Sequence, residues 1–514
     1  MCDLEKKPAE NSVSRFLDEV TDQIAWKPLH PSIRRELEEH IEDLADELKN
    51  EGIESEKAFQ QAVRQMGDPI IIGTELNAVH QIRRTPVLTV LSLLLLLAGF
   101  VLAGFMNWTP EQNSGGYLYY LPGTALLLLT VWKGYPFFIR HWKSLSFGIG
   151  ILYLFFLVLN CLSRFGHFYF SWVWKISYLA GTFFPVLFLP VLFSFLFYRF
   201  RKSRKRTIQI GLLLAAAWGI FSIFFLPGYR WSAAAIALFS LVFTIGFMIR
   251  KNLFSEKKWK LWSFAAVITI LLASPAFFLH PYYLKAFTAP QTQVRDRWDD
   301  TYNSVLIQEL LGRTPFAGGL SLSPEELMDY RTGAWYFASR EPRNISIAIN
   351  DSLTPQEKEA LQQKWHELSR QGFSPGIVHE TEETVTLWDI LPQHYHNNYI
   401  IAVVIFLFGW IGGFLLLAAI ALFYLLLFRC ILKIRGNLAS CTAFACGQIL
   451  LWQTILYILG NFGFQYCAFP NLPLLSEGRI SMVFNMVLVG FILSAYRYDL
   501  VTAEPAECTS TVSL

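Results

Sequence analysis

From Pro86 onward the chain runs apolar for about twenty residues at a stretch, again and again, and no other feature constrains its fold as strongly. A helix rising about 1.5 Å per residue needs roughly that length to cross a hydrocarbon layer about 30 Å thick, where only helices and closed barrels satisfy their own backbone. Stretches of this kind lie near residues 86–106, 116–133, 146–163, 177–198, 207–227, 230–249, 260–279, 399–428, 439–465 and 479–496. Charged residues make up only 16% of the chain, against about 25% in soluble globular domains. The expectation is an all-α polytopic membrane protein with about ten transmembrane helices.

The basic residues predict its orientation, because short cytoplasmic loops retain Lys and Arg during insertion. Arg83 and Arg84, then Lys133, Arg140 and Lys143, then the cluster from Arg199 to Arg206, then Arg250 to Lys260, then Arg429, Lys433 and Arg435 all fall on one side of the alternation. The segment from Asn107 to Gly115, with no Lys or Arg, falls on the other. Both termini are therefore expected in the cytoplasm of a multi-pass protein of the cell membrane, in contact with membrane lipid, and the long polar segment 281–398 outside. A net charge of +3 is too small to point to nucleic acid. The seven cysteines are scattered without CxxC spacing, so neither a zinc site nor a disulfide framework is indicated.

Residues 1–82 are of different material: polar, acidic and without a spanning stretch. Apolar residues recur at three- and four-residue spacing in Val13, Phe16, Leu17, Val20 and Ile24, and again in Ile33, Leu37, Ile41, Leu44 and Leu48, which predicts two amphipathic helices. Ser55 is expected to cap a third helix, and Asp68 followed by Pro69 a fourth. The run from Ala62 to Pro69, continuing through Ile72 to Asn77, resembles the HAAS or permease-prefix domain found ahead of several Firmicutes membrane proteins. The resemblance implies a cytoplasmic helical domain over 1–82, which reads either as a solubilising cap or as a regulatory or partner-docking module. Residues 83–500 would then form the transmembrane domain, with the loop 281–398 inserted, and 501–514 a disordered cytoplasmic tail. Within that loop, Ile345 to Ile349 alternates as a strand and Pro355 to Gln371 reads as a helix.

The chemistry concentrates where the loop ends. Leu391-Pro392-Gln393-His394-Tyr395-His396-Asn397-Asn398-Tyr399 leads into an apolar run, and Gln448, Gln453, Asn461, Ser476 and Asn485 follow in the last third of the chain. With Leu472-Pro473 and Gly478, and with the Gly-rich turn Phe316 to Gly319, this pattern resembles the SEDS family of FtsW, RodA and SpoVE. The resemblance covers roughly Ile82 to Leu500. It implies a peptidoglycan glycosyltransferase that polymerises lipid-linked disaccharide during elongation, division or sporulation, beside a class B penicillin-binding protein transpeptidase.

The family loop usually reads Leu-Pro-Glu-x-His-Thr-Asp-Phe, and polymerisation depends on its aspartate. Asn398 stands at that place here, and Gln393 at that of the glutamate. Transfer of a sugar needs a base for the acceptor hydroxyl and cationic or metal help for the departing pyrophosphate, so a divalent cation is the cofactor to consider. A carboxamide has no appreciable proton affinity at neutral pH. Asp389 is the nearest substitute acid, although a residue beside Trp388 in a loop is more often structural. His396, Gln393, Gln453, Asn461, Ser476 and Asn485 are the substrate-binding candidates. Asn461 and Asn485, polar groups inside apolar runs, read equally well as site residues and as hydrogen bonds between helices. Two functions stay open: a glycosyltransferase, and a noncatalytic homologue that binds lipid-linked precursor or a wall-synthesis partner. A flippase fits less well, because the core lacks paired intramembrane carboxylates.

Overall fold

The structure, a computed structural model, describes residues 6–106, 116–165, 187–225, 231–279, 302–331, 344–350, 354–370, 374–380, 386–392, 395–464 and 470–502. Four helices open the chain: α1 (Lys6–Asp22), α2 (His30–Asn50), α3 (Ser55–Met66) and α4 (Pro69–Val79). Their apolar faces close on one another around Phe16, Leu17, Val20, Ile33, Leu37 and Ile41, a hydrophobic cluster separate from that of the remaining chain. The periodicity of α1 and α2 is thus their packing pattern. Asp68 caps α4 by accepting a 2.8 Å hydrogen bond from the Ile70 N–H, with Pro69 in the first turn. Ser55 does not cap α3: it is the first helical residue, and Glu54 precedes it with no side-chain cap.

The larger cluster is built from α5 (Pro86–Met106), α6 (Tyr120–Phe165), α7 (Leu189–Phe200), α8 (Arg204–Phe225), α9 (Trp231–Arg250) and α10 (Lys258–Leu279), then from three late helices, α16 (Ile400–Leu432), α17 (Asn437–Asn461) and α18 (Arg479–Tyr498). Among the described residues, five helices are both long and apolar enough to cross a membrane: α5, α9, α16, α17 and α18. This is a helical membrane protein. The stretches expected at 116–133 and 146–163 are not two hairpin-linked spans, because α6 runs through both for 46 residues. The intervening residues 134–145 lack a turn cluster, and Pro136 alone does not end the helix.

Between α10 and α16 come α11 (Tyr302–Arg313), α12 (Pro324–Arg331), β1 (Asn344–Asn350), α13 (Pro355–Arg370), β2 (Ser374–Glu380), α14 (Leu387–Ile390) and α15 (Tyr395–Asn398). The strand and helix expected in this insert are β1 and α13. Its second strand, β2, pairs parallel to β1 from Asn344 opposite Ser374 to Asn350 opposite Glu380, so the insert is a small β–α–β unit, and the other described elements are helices.

Two features tie the bundle together. The Asp499 carboxylate, fully buried, accepts hydrogen bonds from the backbone N–H groups of Arg435 (2.8 Å) and Gly436 (2.9 Å) and from Arg83 (3.2 Å). The Arg83 N–H also reaches the Arg497 carbonyl, so the chain leading into α5, the turn between α16 and α17 and the end of α18 meet in one knot. Trp26 of the first four-helix unit packs on Tyr498 beside it, ring centroids 5.5 Å apart. Farther along, α16 is broken at Gly409, whose φ of 72° lies in the left-handed region. The Gly-rich turn fills the break: the Trp410 N–H reaches the Pro315 carbonyl, the Ile411 N–H the Phe316 carbonyl, and the Leu320 N–H the Phe406 carbonyl. A Cβ at Gly409 would stand 2.8–2.9 Å from three of the turn's carbonyl oxygens.

Candidate functional site

The polar cluster lies at the opposite end of the bundle from the Asp499 knot. The twenty residues of α18 separate the two, about 30 Å of helix. Two segments converge there: the one-turn helix α15 with the start of α16, and the connection 470–478 between α17 and α18. The second is held against α5 and α6. Tyr120 donates to the Leu475 carbonyl at 2.5 Å, and at Gly99 even a Cβ would stand 2.6 Å from that same oxygen. The connection turns tightly, with Leu474 at φ 70°, a left-handed conformation costly for a branched residue. Ser476 closes the turn by donating both its N–H and its hydroxyl to the Leu472 carbonyl.

Asn461, fully buried near the end of α17, organises the other segment. Its Oδ1 accepts from the N–H groups of Ile401 (3.0 Å) and Ala402 (3.1 Å), and its Nδ2 donates to the carbonyls of Asn398 and Tyr457 at 2.9 Å. These N–H groups open α16 and have no partner within the helix, so Asn461 caps α16 from a neighbouring element. Tyr457 completes the join, donating to the Asn397 carbonyl at 2.7 Å and accepting from the Ile400 N–H at 3.0 Å. Of the two readings of Asn461, the hydrogen bond between helices is the one the contacts support.

The two segments then bond to each other. His396 Nε2 lies 3.2 Å from Glu477 Oε1, their side chains 11% and 6% exposed. Asn471 Nδ2 donates to Asn397 Oδ1 at 3.0 Å and to the Glu477 carbonyl. A Cβ at Gly478 would displace Ser481 Oγ and Asn471 Nδ2. Asn398 is half-buried at the rim of this cluster. Gln453 and Asn485 are elsewhere, paired at 3.3 Å about two turns deeper between α17 and α18, and Gln453 Oε1 has no hydrogen-bond partner among the described residues. Gln393 and His394 lie outside the described residues.

Asp389 is not part of the cluster. Its Oδ2 accepts from the Thr386 N–H (2.7 Å) and hydroxyl (2.6 Å), making a capping box for α14, and its side chain is exposed. It reaches the site only through its charge: burial first, and that charge second, push the Tyr395 hydroxyl up to about 12. The acid that does sit in the cluster is Glu477, which is not among the site candidates read from the sequence. The signal was there, since a carboxylate two residues before an apolar span is costly unless partnered. Asn471 and Tyr457 were not singled out at all. Among the described residues, no group of three or more His, Cys, Asp or Glu side chains gathers to hold a metal ion.

No protein-family model matches the chain, and no curated protein does. Among solved structures, it is similar to a chain of "Structural coordination of polymerization and crosslinking by a peptidoglycan synthase complex", at 14% identity and a TM-score of 0.45, over 80% of this chain and 97% of that one. Agreement at that level says nothing about chemistry.

Proposed function

We propose that this is a SEDS-like membrane protein of bacterial cell-wall assembly, and that it polymerises lipid-linked disaccharide at the outer face of the cell membrane. One observation carries the reading. The segment 395–402, at the end of the loop where the sequence resemblance expects sugar transfer, meets 471–478 in a buried polar cluster about 30 Å from the Asp499 knot. In the topology proposed from the basic residues, the knot and residues 1–82 are cytoplasmic, as is the tail from 501, and the loop 281–398 is outside. The cluster then lies at the depth of the outer headgroups, where a lipid pyrophosphate presents its sugar. A divalent cation would arrive with that pyrophosphate, and a class B transpeptidase would cross-link the product.

A second reading keeps one specific observation in its favour. Asn398, an amide at the position of the family's essential acid, suits a homologue that binds precursor without polymerising it. Purified protein in vesicles with lipid-linked disaccharide separates the two. Glycan chains resolved on a gel support the first reading, and saturable binding without chains supports the second. Neither chains nor binding would refute both.

A further inference from the structure

We propose that the starts of α8 and α10 hold the headgroup of an anionic membrane phospholipid, its phosphate received by a basic rim of Arg204, Lys205, Arg206, Lys257, Lys258 and Lys260. All six residues are exposed, and the one acid beside them, Glu256, pairs with Arg204 at 3.5 Å. That pair and the Ser255 hydroxyl, which donates to the Lys202 carbonyl at 3.5 Å, join the connection between α7 and α8 to the connection between α9 and α10. The rim lies at the end of the bundle that carries the Asp499 knot, because Lys251, just after α9, donates to the Ile434 carbonyl at 3.3 Å, one residue before Arg435, and to Ser440 Oγ at 2.7 Å.

Positive charge at the cytoplasmic end of a membrane protein needs no ligand, since insertion alone selects it. Its placement on helix starts points to one. α8 opens with Arg204-Lys205-Arg206 and α10 with Lys258-Trp259-Lys260, and neither has an acid in its first turn. A helix start presents N–H groups without partners in the helix and the positive end of its dipole, so cations are disfavoured there and an anion is stabilised by charge and dipole together. The two starts belong to helices in contact: a Cβ at Gly211 of α8 would stand 2.5 Å from the Phe264 ring of α10. Arg204 lies seven residues before Gly211 and Lys260 four before Phe264, so helical spacing puts both cations over the seam where the helices touch.

Beneath the rim the seam is apolar, which favours a lipid over a soluble anion. Ile249, Leu261, Ala265 and Ile268 line a cleft there with Thr207, whose hydroxyl is taken up by the Phe200 and Ser203 carbonyls. The cleft holds about 20 Å³, room for a water molecule and not for a headgroup, so the phosphate stays at the rim. Ile208 and Leu212 of α8 and Trp262 of α10 are exposed just below, an apolar surface for the lipid's chains. Trp259 and Trp262 also set the depth, because exposed tryptophans of membrane proteins concentrate at the headgroup level.

The test uses full-length protein in phosphatidylcholine nanodiscs containing phosphatidylglycerol that is photoreactive in its headgroup, with adducts mapped and quantified by mass spectrometry against those of the matching phosphatidylcholine. The native chain should be labelled at 204–207 and 257–262 with a preference for phosphatidylglycerol. The variant Lys257→Gln/Lys258→Gln/Lys260→Gln should lose that preference by about tenfold or more. The variant Arg84→Gln/Arg429→Gln/Lys433→Gln, which removes as much charge at the same end of the bundle, should keep it. Equal labelling of the native chain by both lipids overturns the proposal, and so does an equal loss in both variants, which would mean bulk surface charge alone. Displacement of the phosphatidylglycerol adducts by inorganic phosphate at constant ionic strength overturns it in favour of a soluble anion. If the triple rim variant does not fold, Lys260→Gln decides: a weakened preference supports the site, and an unchanged one overturns it.

Discussion

Asn461 shows how a single side chain joins sequence to site. It makes four hydrogen bonds in a fully buried setting, two of them to N–H groups that α16 cannot satisfy itself. An orphaned buried donor costs about 1–3 kcal/mol, so Asn461→Ala should destabilise the protein by about 3 kcal/mol or more, read as a fall in the thermal unfolding midpoint in detergent. A variant as stable as the native chain would remove Asn461 from the framework. Asp389→Ala should cost only about 1 kcal/mol, the usual loss of a helix cap, by the same measurement. At this scale the sequence pointed to His396 and Asn398 of one segment and to Asn461 of α17, because their polar side chains interrupt or border apolar runs. On the opposite connection it named Ser476 but neither Glu477 nor Asn471. Glu477 and Asn471 are separated from His396 by more than seventy residues, and no local spacing says that the two segments meet.

At the scale of elements, legibility followed periodicity. α1 and α2 were readable from their apolar spacing, α4 from Asp68 and Pro69, and β1 and α13 from alternation and helical pattern. Three elements were not. Strand β2 begins Ser374-Pro375-Gly376, residues that signal a turn, and becomes a strand only because β1 pairs with it. In α6 the helix continues where the basic residues predicted a turn. The break in α16 has no proline to announce it, and Gly409 is one glycine among several in the run. What makes it a break is the turn 315–320, whose backbone replaces the missing helical hydrogen bonds, the condition under which irregular backbone is tolerated at membrane depth. Gly409→Val should therefore separate the turn from the helix. It combines a left-handed φ with a collision against three carbonyl oxygens, a cost of at least about 2 kcal/mol, to be seen as faster proteolysis near residue 316. Unchanged proteolysis would mean that the turn does not depend on the break. The first four helices share a core of their own, so residues 1–82 expressed alone should be soluble and helical by circular dichroism. A disordered or membrane-bound fragment would contradict that.

For the whole molecule, the late helices α16, α17 and α18 connect two clusters of opposite character. One is the Asp499 knot, which gathers the chain entering α5 and touches the first four-helix unit through Trp26 and Tyr498. The other is the His396–Glu477 cluster. The proposed topology puts them on opposite faces of the membrane. A cysteine introduced at Gln362 should accordingly react with a membrane-impermeant thiol reagent in intact cells, and one at Arg204 should not; the reverse pattern would invert the orientation.

The central claim, that the cluster formed by 395–398 and 471–477 handles lipid-linked sugar, is tested most directly by cross-linking. A lipid-linked disaccharide carrying a photoreactive group on its sugar is incorporated into vesicles with the native protein, irradiated, and the adducts are mapped by mass spectrometry. The account predicts adducts on residues 395–398 and 471–477, competed away by unlabelled lipid-linked disaccharide. Adducts confined to other parts of the chain, or none that unlabelled substrate displaces, would contradict it.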